Sequence, residues 1–375
     1  AGHLIGSAFA EIFIKENGKE TKIVFSGDIG NSNQPIICDP TALTEADFVV
    51  MESTYGDREH EEVEFSHEHE LAEVISDTFR RGGNLIIPSF AVGRTQEILY
   101  FIREIKEKGL CKECGDFPVY IDSPLASAAT KIFSGELQRY LDKDALKFVG
   151  SGESMFSFKG LRLCESVEES KQLNFDDKFK IIISASGMCD AGRVRHHLKH
   201  NLWRADSTVA FVGYQGEGSL GRKLLDGAEK VKLFGEEIIV AAKIVNLPGL
   251  SSHAGKSDLI KWITAYAPKP QEVFVVHGEE TVAVSFAQEL MGMGIHAHAP
   301  EYTEEYDTEQ MAIVKPGVKL EHTARRDPSL SEPYVRLVGL AEKLLIRAKQ
   351  SKGFANKELN KLSAKLQSIL DVWNA

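Results

Sequence analysis

A chain of 375 residues, 43% hydrophobic and 26% charged, has the composition of a globular enzyme and is long enough for two domains or one domain with a large insertion. It has no run of about eighteen apolar residues and no basic-plus-apolar leader, so nothing argues for a membrane span or export, and a cytoplasmic location is expected. The net charge of -11 argues against nucleic-acid binding over the whole surface but leaves room for a local basic groove.

Residues 10–14 alternate like a strand, Glu16-Asn17-Gly18-Lys19 turns the chain, and residues 21–26 complete a hairpin that ends at Gly27-Asp28-Ile29-Gly30. A third strand, residues 47–51, ends at Glu52-Ser53-Thr54-Tyr55-Gly56. In both cases a carboxylate leaves a strand end beside glycine or a small polar residue, where the backbone can turn sharply and the side chain can face a cleft. One Gly-Asp turn is an ordinary structural device. The repetition, with His3 upstream, singles out His3, Asp28 and Glu52 as potential metal or proton-transfer groups.

A helical pattern over residues 61–81 stops at Gly82-Gly83. A short buried strand at 84–88 and a turn through Arg94 lead to a helix at 96–108, and a strand at 118–121 ends at Asp122-Ser123-Pro124 before a helix at 126–140. Strand 180–183 runs into Ser184-Ala185-Ser186-Gly187-Met188 and a helix at 191–201. Strand 208–212 runs into Gly213-Tyr214-Gln215-Gly216 and a helix through Leu225. This alternation predicts a parallel α/β sheet with functional loops at the strand carboxyl ends. The two Gly/Ser loops precede helix N-termini, where free amides can hold a phosphate, although such loops are common and each alone is weak evidence.

Residues 238–247 read as one long apolar strand ending near Ser251-Ser252-His253-Ala254-Gly255. A helix at 257–265, a strand at 272–276 ending in His277-Gly278-Glu279, a helix at 282–291 and a strand at 295–299 follow. Past Thr308 the character changes. Residues 333–350 and 357–373 are amphipathic runs rich in Lys and Leu, expected to form a helical appendage for packing or homo-oligomer contacts.

Twelve histidines need sorting. His67 and His69 lie two apart on a helix, roughly 200° around it, and cannot share a metal. His196 and His200 share a helical face, but Arg193, Arg195 and Lys199 surround them, which suits phosphate contact or solvent better than a cation. His296 and His298 share a strand face with no accompanying carboxylate pattern, which suits packing. His3, His253 and His277 each sit in or beside a small-residue loop. The five scattered cysteines suggest reduced thiols, and Cys111-Lys112-Glu113-Cys114 lacks the second pair of a structural zinc site.

Together these residues resemble the β-CASP branch of the metallo-β-lactamase fold, a family of RNA-processing nucleases that includes the cleavage-and-polyadenylation endonuclease. Ala1-Gly2-His3 resembles its third metal motif, Ser26-Gly27-Asp28 its fourth, Glu52-Ser53-Thr54-Tyr55-Gly56 its motif A, Ser252-His253-Ala254 its motif B and Val276-His277-Gly278-Glu279 its motif C. Residues 87–94, Asp122-Ser123-Pro124 and Ser186-Gly187-Met188 resemble further landmarks, and the likeness runs in order over residues 1 to 306.

The resemblance implies an α/β architecture: a metallo-β-lactamase αββα sandwich at 1–56 and 246–306, an inserted parallel β-CASP cap at 57–245 and an appendage at 307–375. It implies a ribonuclease that hydrolyses RNA by a hydroxide activated by two divalent ions, usually zinc. Asp28 would bridge them, with His3 on one and His277 on the other. His253 would protonate the leaving oxygen and Glu52 would orient it. His277 at motif C favours RNA over DNA. Arg94, Ser123, Ser184, Ser186, Gly187, Tyr214 and Ser252 are the expected RNA contacts.

The family's His-x-His-x-Asp-His loop does not occur, so the sandwich is expected to be incomplete at its N-terminus, with the loop supplied by a missing segment or another chain. A non-catalytic RNA-binding or scaffold subunit is the alternative. Hydrolysis of a small molecule is disfavoured by the large insertion.

Overall fold

The computed structural model describes residues 1–60, 66–134, 140–151, 155–247, 251–319, scattered positions between 337 and 348, and 356–373. Two compact units divide the chain, Ala1–Gly317 and Val318–Ala375.

The first sheet begins with the expected hairpin, β1 (Ala10–Glu16) antiparallel to β2 (Lys19–Phe25), joined to β3 (Phe48–Glu52) in parallel. The chain then leaves this sheet. Helix α1 (His67–Arg81) ends where Gly82 adopts a φ of 80°, a left-handed cap that glycine takes without a Cβ clash. β4 (Leu85–Pro88) follows, then α2 (Arg94–Lys108), β5 (Val119–Ile121), α3 (Pro124–Phe133), α4 (Lys143–Ser151), β6 (Leu161–Leu163), α5 (Val167–Gln172), β7 (Ile181–Ser184), α6 (Val194–Asn201), β8 (Thr208–Phe211) and α7 (Leu220–Leu225). The hairpin β9 (Lys230–Leu233) and β10 (Glu236–Ile239) precedes β11 (Lys243–Asn246). The six strands β11-β8-β4-β7-β5-β6 form one sheet, parallel throughout.

That sheet is covered on both faces, which is why its central strands read as continuous apolar runs. The side chains of β4 and β7 alternate between two cores. Leu85, Ile87, Ile181 and Ile183 face Leu71, Ile75, Ile98 and Ile102, whereas Ile86 and Ile182 face Val194, Leu198, Leu224 and Leu233.

The chain returns to the first sheet through α8 (Lys256–Thr264), β12 (Glu272–Val276), α9 (Glu280–Gly292) and β13 (Ala297–His298), giving the order β1-β2-β3-β12-β13. Leu259, Trp262 and Ile263 of α8 and Phe286 and Leu290 of α9 pack on Val49, Met51, Val273 and Val275. Each such buried side chain contributes about 1.5–3 kcal/mol. A hairpin, β14 (Glu305–Asp307) and β15 (Ala312–Lys315), closes the unit, and its Tyr306 ring lies 5.1 Å from Phe274. Among the described residues the chain builds one sheet of the expected sandwich.

Several expectations change. Residues 238–247 are two strands in different sheets, because the amides of Ala241 and Ala242 both donate to the Leu202 carbonyl, at 2.7 and 2.8 Å, and pull the chain out of register between them. The helix expected to reach residue 140 ends at Phe133, and residues 135–139 lie outside the described residues, as do 61–65 at the expected start of α1. His298 does have carboxylates, with Nδ1 3.0 Å from Glu272 and Nε2 2.8 Å from Glu304, whereas His296 lies outside the strand and is exposed. Cys111 and Cys114 are buried around Ser76, and burial pushes both thiols up, Cys114 to about 11. In the second unit, α10 (Asn356–Trp373) matches the last expected helix, and most of 333–350 lies outside the described residues.

Candidate metal centre

Parallel pairing brings the functional loops together. Phe25 is opposite Val50 in the β2–β3 register, and Glu52 is opposite Val276 in the β3–β12 register. Asp28, Glu52 and His277 therefore emerge side by side at the carboxyl ends of three adjacent strands, where open parallel sheets carry their sites. Ser26 ties the first two ends, its amide donating to Val50 O at 2.9 Å and its hydroxyl accepting from the Glu52 amide at 3.1 Å. His3 and His253 arrive on bridges from either side, with Gly2 paired to Ile29 and Gly30 to His253. Gly30 has to be glycine there, since a Cβ would lie 2.0 Å from the Gly2 carbonyl carbon.

Glu52 is 1% exposed. It accepts from the Ile29 amide at 2.6 Å and the Thr54 amide at 3.2 Å, and its two oxygens lie 3.0 and 3.1 Å from His253 Nδ1. Burial pushes its carboxyl up, but the bonds from His253, Thr54 and Ile29 together hold it below the ordinary carboxylate range. Bonding to Nδ1 fixes the His253 ring and leaves Nε2 as its uncommitted nitrogen. His277 takes a φ of 51°, a left-handed backbone uncommon outside glycine, and its carbonyl accepts from the Ser53 amide and the Thr54 hydroxyl, both at 3.3 Å. Those bonds hold the turn that aims His277 Nε2 at Asp28 Oδ1, 3.1 Å away. The other Asp28 oxygen lies 3.7 Å from His3 Nε2.

His3, Asp28 and His253 each offer a ligand atom within 4.8 Å of one another, and this is the one group of metal-binding geometry among the described residues. The His3 and His253 rings are 4.4 Å apart, His253 and His277 6.0 Å. The structure thus brings His253, expected as the proton donor, into the cluster, and places His277 on the far side of Asp28. Burial and the neighbouring His253 lower the His3 pKa, with Asp28 opposing. His3 Nδ1 is buried without a hydrogen-bond partner. A neutral imidazole whose Nε2 faces a carboxylate fits a divalent cation.

The residues expected to contact RNA divide into two sets. Arg94 is buried, with its guanidinium taken up by Glu97 and, at 2.8 Å, by the Ser252 hydroxyl, so it ties α2 to the His253 loop. Ser123 caps α3 through the Ala126 amide, and Ser184 donates to Asp122 O at 2.8 Å; both are buried. Ser186 is half-buried, Gly187 is hemmed in by the Phe90 ring, and Tyr214 is half-buried with its hydroxyl on Glu279.

Sequence reasoning missed two groups. His60 Nε2 lies 2.7 Å from His253 O, and Glu59 accepts from the Ser257 amide at 2.8 Å at the start of α8, so both hold the His253 loop. His197 is fully buried on Asp122, and the signal was its place on one helical face of α6 with Val194 and Leu198.

Comparison with known proteins agrees with this geometry. Residues 95–224 match the Beta-Casp domain, and residues 237–300 match a Zn-dependent metallo-hydrolase RNA specificity domain. The chain is 36% identical over 280 residues to Ribonuclease TTHA0252 of Thermus thermophilus, covering 75% of this chain and 62% of that protein. It is 33% identical over 292 residues to an RNase J-like protein of Methanocaldococcus jannaschii, covering 77% and 65%. It is 32% identical over 302 residues to the transcription termination factor FttA of the same organism, covering 76% and 45%. The chain thus spans about half to two-thirds of the length of these relatives. With five motif loops converging on one cluster, and with these two domains matched in order, the chain carries the domains of the β-CASP branch of the metallo-β-lactamase fold.

Proposed function

We propose that the chain carries catalytic residues of a metal-dependent ribonuclease that hydrolyses RNA phosphodiester bonds. The observation that carries this reading is the His253–Glu52 pair, buried on its carboxylate side and set against His3 and Asp28 on the other. The two most similar relatives described above bear ribonuclease names, and the second matched domain is named for RNA specificity.

Two divalent ions, zinc in this proposal, would be held by His3 and Asp28 on one side and Asp28 and His277 on the other. Support comes from Asp28, whose two oxygens face different histidines. Such ions supply Lewis acidity at the phosphoryl oxygens and activate the attacking water. The chain's own residues do the remainder. Glu52 holds the imidazole through Nδ1, and His253 Nε2 delivers a proton to the leaving oxygen as the phosphorus–oxygen bond breaks.

The test is single-turnover cleavage of single-stranded RNA by the full-length protein, with metal content measured in parallel. His253→Ala should lose about 10²–10⁴-fold in rate and keep its metal. Loss of metal with the rate would make His253 a ligand, and an unchanged rate would refute the assignment.

Asp28, Glu52, His253 and His277 are all present and assembled, so nothing favours the scaffold reading. Five free cysteines support the proposed cytoplasmic location. Self-association through the C-terminal helices remains part of the proposal, supported by the exposed Leu362 of α10, and sedimentation of a chain lacking 318–375 tests it.

A further inference from the structure

Beside the cluster lies a recess of about 390 Å³, walled by the loop after β3, the loop after β8 and Glu279. Tyr55, Arg58, His60, Tyr214 and Arg222 line it. The Tyr55 ring lies 4.6 Å from His60 and 6.5 Å from Tyr214, which it meets edge-on at 73°, and the Arg58 guanidinium sits 4.9 Å over it. None of these side chains belongs to a hydrophobic core, and Tyr55, His60 and Tyr214 are only half-buried. Aromatic surface is being kept in an open, polar recess, where it can act as a stacking platform.

The charge on the walls selects the occupant. Arg58 and Arg222 are balanced by Glu59 and Glu279 on the same walls. Both arginines already hold their own aspartates, Arg58 with Asp57 at 3.0 Å and Arg222 with Asp226 at 2.8 Å. A phosphate would find no net positive field here. A flat, uncharged ring with a hydrogen-bonding edge would find stacking surface together with donors and acceptors, Asn246 and Ser251 among them. The recess also shares structure with the catalytic cluster. His60 meets the His253 carbonyl at 2.7 Å, Tyr55 follows Glu52 by three positions, and Glu279 follows His277 by two.

We propose that this recess is a nucleobase subsite, in which Tyr55, with Tyr214 and Arg58, stacks one unpaired base of an RNA strand at a fixed distance from the bond being cut. The proposal rests on the ribonuclease reading and adds a requirement for an unpaired base at one position.

The experiment uses the full-length, metal-loaded protein and one single-stranded RNA, with each nucleotide in turn made abasic. The wild type should show a loss of about tenfold in affinity at a single offset from the cut site. Tyr55→Leu should flatten that profile, and Tyr55→Phe, which keeps the ring, should retain it. A 2-aminopurine placed at the sensitive offset in a non-cleavable 2′-O-methyl RNA should be quenched by the wild type and not by Tyr55→Leu. RNA that is cut with equal tolerance of abasic sites everywhere overturns the subsite and leaves the nuclease standing, as does a Tyr55→Leu profile that matches the wild type. RNA neither bound nor cut overturns both. Should Tyr55→Leu fail to fold, the wild-type abasic profile and the fluorescence decide alone.

Discussion

Among the described residues, two carboxylate–histidine pairs built on a fully buried carboxylate, Asp122–His197 and Glu52–His253, have opposite fates. In the cap, Asp122 and His197 are both fully buried, 2.6 Å apart, and every polar atom of the pair is used. Asp122 also takes the Ser170 hydroxyl at 2.5 Å and Arg193 at 2.7 Å, while His197 Nδ1 meets Asn174 at 2.9 Å. Around the cluster, Glu52 is as deeply buried as Asp122, but His253 is 18% exposed and keeps one nitrogen free. The chemistry of the pair is the same in both places. The leftover valence, aimed at a carboxylate and another histidine, separates a proton-transfer group from a strut.

Substituting the two histidines should separate the two roles most visibly. His253→Gln should cost about 10²–10⁴-fold in cleavage rate with little change in melting temperature. His197→Gln should lower the melting temperature and leave the rate per folded molecule near that of the wild type. If both variants lose rate equally at full folding, the distinction between strut and catalyst fails.

Asp122→Asn comes next. It leaves Arg193 facing an uncharged partner in a largely buried setting, a loss of about 3 kcal/mol by the usual cost of breaking such pairs, read by urea denaturation. Glu52→Gln should cost less. The amide oxygen can still accept from Ile29 and Thr54, but the imidazole loses its charged partner, and a drop of roughly 10–100-fold in rate is expected, read by single-turnover cleavage.

Much of the cluster was legible because each of Asp28, Glu52 and His277 follows a short apolar strand and precedes small residues, a pattern that local sequence carries. That those strands are adjacent and parallel fixes the rest. The Asp122–His197 pair was not legible in the same way. Its partners lie 75 positions apart, so although the spacing of Val194 and Leu198 marks His197 as inward, nothing local names Asp122 as its partner. The strand expected at 238–247 failed for a related reason, since the contact that divides it is with Leu202, a distant carbonyl. Arg94 was expected as an RNA contact from the family resemblance, whereas its burial depends on Glu97 and Ser252 meeting it. Tyr55 lay inside a legible motif, but the recess it lines depends on the loop after β8.

The smallest effect is one of acidity. Burial pushes the Asp122 carboxyl up, but His197, Ser170 and Arg193 together hold it below its ordinary value. A depressed carboxylate stabilises the fold fully above its unfolded pKa of about 3.9. That contribution is lost as pH falls through the lower folded value. The stability gap between the wild type and Asp122→Asn should therefore be constant from neutrality down to about pH 5 and narrow below about pH 4, measured by urea melts across that range. Glu52 shifts in the same direction, so Asp122→Asn combined with Glu52→Gln should flatten the acid-dependent loss further than Asp122→Asn alone. A gap that widens on acidification would mean that the Asp122 carboxyl is buried protonated, and the strut would then be a neutral hydrogen bond.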